Sequence, residues 1–519
     1  MTITSLEFAA FVMVVFAVFA ICPRKSRWIV LLAGSMLFYM IAGLEFVPFL
    51  VATIISIWLS SAAIGRIWER QRADFDQNTY SPAEKKCRRQ KDQRKAKAIV
   101  ILAVCINIGY LILEKALLYR AARANDLSAA ARVIVPLGIS YYSFSAVGYL
   151  LDVYWKRYDY ERNVFRFALY AAYFPHITQG PISRYNLLGQ ELKKELTLDY
   201  TRVTQGLQLV LWGVCKKLVI ADRAMVFVSE AFAVTDGEGM VYLIALALDV
   251  VQIYADFSGY MDIMRGVSEL FGVELERNFD HPFRARSVSE FWRRWHMTLG
   301  GWFKDYVYYP ITISGWHKRI SKWSKQCLSP RMAKLLAAGI PIMTTWLLTG
   351  IWHGNGVGYV AWGIYYGTLI TASVVWSDVL SSLPGRIGIR ADCFSYRLFQ
   401  MLRTGCIFAG GRLLTKGGSF SSTLRIIRQI ITNTHVLPLF TGEMMGYGLN
   451  GLNWQILIIG ICLLAGVELL QVKGEVRGMI ARQNLPFRWM LYLAGMLVVL
   501  VYGVYGSAYS TEGFAYQNF

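Results

Sequence analysis

The chain has 519 residues, 55 % of them hydrophobic and only 17 % charged, with a mean hydropathy of +0.38. This balance excludes the ordinary soluble class and points to a membrane protein. The formal net charge of +20 is carried by short basic segments between apolar runs, the pattern of cytoplasmic loops. It does not form a stripe interleaved with a nucleic-acid-reading motif, so no nucleic-acid partner is expected.

A spanning helix needs about 20 apolar residues. The first apolar run, near 5–22, is followed by Pro23-Arg24-Lys25-Ser26-Arg27. Its positive charges lie after the run, the wrong side for a signal peptide. It therefore reads as a first span with the N-terminus outside. Further spans are predicted near 28–45, 48–65, 98–117, 132–151, 204–228, 238–258, 335–352, 356–376, 399–412, 453–471 and 489–507. Together they describe an all-α polytopic protein with about 12 transmembrane helices.

Two more apolar stretches, 166–182 and 289–312, are interrupted by Pro, Gly or charges. Such backbone is tolerated at membrane depth only where it is buried in protein or lines a cavity, so both are expected to be re-entrant or interfacial. The polar insertion 66–97, rich in Arg and Lys, is expected to be a cytoplasmic loop, helical or partly disordered. The basic loops 23–27, 66–97, 153–165, 183–203, 261–288, 313–334 and 472–488 all fall on one side. The acidic loop around Glu230, Asp236 and Glu238 falls on the other, as the positive-inside rule requires. No inverted repeat of the transporter kind and no low-complexity linker is visible, so one membrane domain over 1–519 is expected. The eight Cys are scattered without zinc-ligand spacing, and no metal site or disulfide framework is expected.

The chemistry-bearing residues concentrate between Gln252 and Pro310, in QIYADFSGYMDIMRG and then NFDHPFRARSVSEFWRRWHMTLGGWFKDYVYYP. Ionisable groups within a membrane are costly and default to functional or paired roles. Asp256 and Asp262 fall at the inner end of one predicted span. Arg293, Arg294, His296 and Asp305 fall in the broken segment that follows. Trp292 and Trp295 around two arginines would suit an interfacial belt, but a belt does not account for the acidic pair, the His and the further Asp. A positively lined entrance for an anionic substrate accounts for more of them. The second feature is Thr349-Gly350-Ile351-Trp352-His353-Gly354. A lone His at the end of an apolar helix is ordinarily a core residue. Here, though, two of only six His sit in Trp- and Gly-rich broken segments, where a buried imidazole suits a general base near neutral pH. His176, His281, His317 and His435 read as structural.

These residues resemble the membrane-bound O-acyltransferase family. The resemblance is to its bacterial branch, which includes the alginate O-acetylation protein and, more distantly, the teichoic-acid D-alanylation protein. It rests on Arg286 through His296 continued by Trp302–Tyr306, on Trp352-His353-Gly354, and on three companions in order. Those companions are Pro136–Phe144, Tyr173-Phe-Pro175 through Ile182, and Tyr254-Ala-Asp256-Phe-Ser258-Gly259-Tyr260. The motif core spans about 130–375. Two departures, Ile311-Thr-Ile-Ser314 and Gly411-Arg412-Leu413, stand where the alginate branch carries other residues.

The resemblance implies helices around a central tunnel, with His353 as catalytic base and His296 as a second catalytic residue. It also implies Trp352, Trp292, Trp295, Arg293, Arg294, Asp305, Asp256, Ser258, Tyr141, Gln179 and Pro181 as substrate or tunnel residues. No cofactor is permanently bound, and the donor would be acetyl-CoA or another acyl thioester from the cytoplasm. The acceptor would be an extracytoplasmic polysaccharide, reached directly or through an extracytoplasmic transferase or relay partner, with the protein in the bacterial inner membrane. D-alanyl transfer to teichoic acid is the neighbouring alternative. A flippase for a lipid-linked sugar is the alternative from another class.

Overall fold

The computed structural model describes residues 2–124, 128, 132–354, 356–417 and 419–505. The described residues are helical, with a single isolated bridge between Phe279 and Trp295. Among the described residues seven helices are long and apolar enough to cross a membrane, and the protein is a multi-span membrane protein. The chain divides into two compact units, one of residues 1–207 and 264–276, the other of 208–263 and 277–519.

In the first unit, α1 (Leu6–Ile21) is capped by Ser5, whose hydroxyl accepts the Phe8 amide at 3.2 Å. α1 packs on α2 (Arg27–Ala42) through an aromatic stack of Phe8, Phe11 and Phe38. The buried Arg27 turns its guanidinium to the Leu196 carbonyl at 2.7 Å.

α3 (Val47–Gln77) and α4 (Pro82–Arg123) follow as a hairpin of 31 and 42 residues. At 1.5 Å per residue these are about 46 Å and about 63 Å long, well beyond a hydrocarbon core of about 30 Å. The 66–97 insertion is therefore the polar end of two continuous helices. The chain turns at Ser81, where a capping box restarts the helix. The Ser81 hydroxyl accepts the Glu84 amide at 3.3 Å and the Glu84 carboxylate accepts the Ser81 amide at 2.9 Å.

α5 (Ile139–Tyr154) starts at Gly138, with φ of +69° and a virtual Cβ only 2.0 Å from the Ile177 carbonyl oxygen. Only glycine meets both demands. The segment expected to be broken is α6 (Val164–Ala172), α7 (Phe174–Ile177) and a turn through Gly180-Pro181. His176 is fully buried there, with Nε2 2.8 Å from the Tyr170 carbonyl.

Entering the second unit, α8 (Tyr200–Cys215) widens into a π-helical turn over Lys216–Ala221 before α9 (Asp222–Ala233). The run predicted over 204–228 is helical throughout, with this wider turn inside it. α10 (Gly239–Leu270) is continuous, and its last residues from Met264 belong to the first unit. The second broken segment forms α11 (Val288–Arg294), α12 (Met297–Phe303), a π-helical turn over Lys304–Tyr308 and α13 (Tyr309–Ile313).

α14 (Gly315–Cys327), α15 (Pro330–His353), α16 (Val357–Val375), α17 (Ser377–Arg386), α18 (Phe394–Lys416) and α19 (Phe420–Thr432) come next. α20 (Gly451–Gln471), α21 (Val476–Ala481) and α22 (Leu485–Tyr502) complete the described chain. Among the described residues seven helices meet the length and hydropathy of a span, where about twelve were expected. Leu6–Ile21 and Ile139–Tyr154 have 16 residues each, short of the length required.

Candidate active site

The site lies in the second unit and begins with the backbone around His296. Ser287 caps α11, its hydroxyl accepting the Glu290 amide at 3.2 Å, so the helix starts where the sequence changes from Arg-rich loop to Phe-Trp. After two turns the chain leaves the helix at Trp295 and runs antiparallel to 278–280. The Asp280 amide donates to the Arg294 carbonyl and the Met297 amide to the Asn278 carbonyl, both at 3.0 Å.

His296 then adopts a left-handed conformation, φ +46° and ψ +53°, and α12 starts behind it. A non-glycine residue there is uncommon and needs surrounding structure to hold it. Asn278, 1 % exposed, supplies that hold by accepting the Thr298 amide at 2.9 Å and the Thr298 hydroxyl at 2.7 Å. The imidazole packs edge-on to Phe257, centroids 4.7 Å apart, and lies 6.1 Å from the Trp352 ring. His296 lies outside the seven candidate spans. Burial pushes its imidazole down to about 3, so the ring stays neutral at physiological pH.

His353 is the last residue of α15 and is 6 % exposed. α15 and α16 pack closely at this end, since a Cβ on Gly350 would stand 2.4 Å from the Tyr359 carbonyl oxygen. Gly354 has extended backbone, and its space is filled by the Tyr359 ring, 2.2 Å from a virtual Cβ. Close approach, rather than a left-handed bend, is what glycine provides beside His353. The His353 ring lies between Trp352 and Trp362, with centroids at 4.7 and 5.1 Å. Trp292 reaches across from α11 onto Trp346, Trp362 and Tyr366 at 5.1, 5.4 and 4.8 Å.

His296 and His353 line one cavity of about 540 Å³ with Trp292, Arg293, Trp295, Trp346 and Lys304 in its wall. The wall carries two cations and no carboxylate among the described residues, a charge balance that favours an anionic ligand. The Trp292 indole N–H is buried and has no hydrogen-bond partner among the described residues. Buried donors are normally paired, so this one is available to a ligand.

The other expected residues are placed elsewhere. Trp352 contacts both histidine rings without lining the cavity, and Asp305 is half-buried in the π-helical turn. Arg294 turns to Glu290 at 3.0 Å and to the Asp280 carbonyl at 3.1 Å, bracing the loop. Asp256 and Ser258 belong to a buried ionic network. Lys217 Nζ is 2.7 Å from Asp256 and 2.8 Å from Asp222, while Lys216 Nζ is 2.9 Å from Ser258 and 2.7 Å from Asp262. Tyr141, Gln179 and Pro181 are buried in the first unit, in α5 and in the turn after α7.

Sequence reasoning passed over several residues that shape this unit. Lys216 and Lys217, a charged pair inside an apolar run, carried a readable signal. Asn278, Lys304 and Trp346 carried none. Arg412, noted only as a departure, makes a bidentate pair with fully buried Asp249 at 2.7 and 3.0 Å, joined by Lys416 at 3.6 Å.

Residues 156–402, which include both histidines and the whole cavity wall, match the membrane-bound O-acyltransferase family. The chain carries a membrane-bound O-acyltransferase domain. It is similar to the probable alginate O-acetylase AlgI of Pseudomonas syringae pv. tomato, 29 % identical over 65 % of this chain and 56 % of that protein. The Pseudomonas fluorescens protein of the same name is 35 % identical over 45 % of this chain and 44 % of its own length. The teichoic acid D-alanyltransferase of Bacillus subtilis is 29 % identical over 51 % and 68 %. The chain thus spans about half the length of the alginate O-acetylases it matches. The membrane-bound O-acyltransferase domain extends beyond the α11–α16 cavity, from residue 156 into α18.

Proposed function

We propose that this protein is an O-acetyltransferase of the bacterial inner membrane. It would move an acetyl group from a cytoplasmic thioester, acetyl-CoA or a close equivalent, to an extracytoplasmic polysaccharide, directly or through a partner. The observation that carries this reading is the presence of His296 and His353 in the wall of one cavity beside Arg293 and Lys304. In the reaction a hydroxyl oxygen attacks the thioester carbonyl carbon while His353 accepts the hydroxyl proton. The C–S bond breaks, the electron pair leaves on sulfur, and the proton returns to the thiolate. Neutral His296 and the Trp292 N–H are the donors for the carbonyl oxygen as negative charge develops on it. The aromatic wall keeps water from the thioester.

The test is mass spectrometry of envelope polymers from a strain lacking the gene, complemented with the wild type or with His353→Ala. Loss of acetate esters in the His353→Ala strain, with the protein accumulating normally, is the expected result. Loss of alanyl esters instead would assign D-alanyl transfer. Intact acylation would overturn the enzyme reading and favour a transport role.

A further inference from the structure

α14 has three distinct flanks. His317 and Ser324, seven residues apart, are buried against the protein. Trp316 and Trp323, also seven apart, lie on the next flank and are 46 % and 53 % exposed. Tyr309 and Ile313 of α13 continue that apolar line at 44 % and 66 % exposure. Lys318, Arg319, Lys322 and Lys325 fill the remaining arc, roughly 80–200° around the helix from His317 at 100° per residue. α14 contains no carboxylate, and none of its four cations makes an ion pair among the described residues.

Two residues after α14 begins α15, a candidate span whose first turns carry Arg331 and Lys334. A helix joined this closely to a spanning segment lies at the membrane surface. One flank of tryptophan beside one flank of lysine and arginine is the composition of a helix lying in the interface plane.

We infer that α14 is a binding site for anionic phospholipid. Trp316 and Trp323 enter the glycerol and upper acyl region, and Lys318, Arg319, Lys322 and Lys325 hold the headgroup phosphates. The apolar flank favours a lipid over a soluble anion, and the unopposed cations favour an anionic headgroup over a zwitterionic one. This inference does not depend on the acyl-transfer reading.

The experiment equilibrates the purified full-length protein in detergent with equal amounts of phosphatidylglycerol and phosphatidylcholine. Retained lipids are then counted by native mass spectrometry. The wild type is expected to retain phosphatidylglycerol preferentially, and K318Q/R319Q/K322Q/K325Q to lose that preference by about tenfold or more. Wild-type protein in 0.5 M salt, which needs no folded variant, is expected to shed phosphatidylglycerol and keep phosphatidylcholine. Unchanged retention by the quadruple variant would overturn the inference. Displacement of the lipid by millimolar inorganic phosphate would also overturn it, because the site would then be one for soluble anions.

Discussion

His296 combines an unusual backbone with a buried ring, and the two are separable. Its left-handed conformation is held by the Asn278 carboxamide through Thr298. Asn278→Ala removes both hydrogen bonds and leaves a buried amide donor unpaired, a loss of about 1–3 kcal/mol. The expected outcome is a lower Tm in detergent together with reduced acyl transfer, because the ring loses its seat. His296→Asn keeps a residue type that accepts left-handed backbone, whereas His296→Val places a β-branched side chain there. Asn is therefore expected to fold with near wild-type Tm and without activity, and Val to fold poorly. Equal Tm values for the two would show that the turn imposes no conformational demand. The histidines themselves were legible, since buried His among Trp and Gly stands out in an aliphatic chain. Asn278 was not. An Asn in a polar loop gives no sign that it faces an amide twenty residues away.

Among the elements, the apolar runs placed most helices because burial in lipid selects composition directly. Two features of these elements have physical reasons. Of the two forms expected for the 66–97 segment, helical or partly disordered, the structure has the helical one: its Lys, Arg, Gln and Glu are good helix formers, and a capping box starts the second helix. The run over 204–228 keeps its helix but widens at Lys216 and Lys217, which need buried carboxylates, and the widened turn lets consecutive residues both reach α10.

α15 shows the complementary case. Pro341 has no N–H to give the Ala337 carbonyl four residues earlier, and that oxygen instead lies 3.0 Å from His317 Nε2 of α14. His317→Ala should lower stability by about 1–3 kcal/mol by orphaning this carbonyl. His317→Gln, which retains a donor, should restore part of it. Thermal unfolding of the two variants side by side checks the assignment, and an unchanged Tm for Ala would refute it.

For the molecule as a whole, two buried imidazoles outside the candidate spans set an acid limit. Burial pushes His176 down to about 4 and His296 down to about 3, against about 6.5 in an unfolded chain. Both are neutral when folded, so below about pH 6.5 the unfolded chain binds protons that the folded one refuses. Stability is then complete above that pH and falls as the pH drops towards the folded values. Between pH 6.5 and pH 5 each ring is expected to remove about 2 kcal/mol. Comparing Tm at pH 7.5 and pH 5 for the wild type and for His296→Gln tests this, since the variant should lose less on acidification.

The vacancy that Pro341 leaves in α15 also bears on motion. α14 has no carboxylate of its own, and besides the packing of its buried flank its described hydrogen bond to α15 is the one between His317 and the Ala337 carbonyl. It should therefore detach locally at far lower free energy than the spans beside it. Amides 318–326 would exchange with deuterium early in the intact protein, ahead of those in the middle of α15. His317→Ala would hasten that exchange without altering the rest of the pattern.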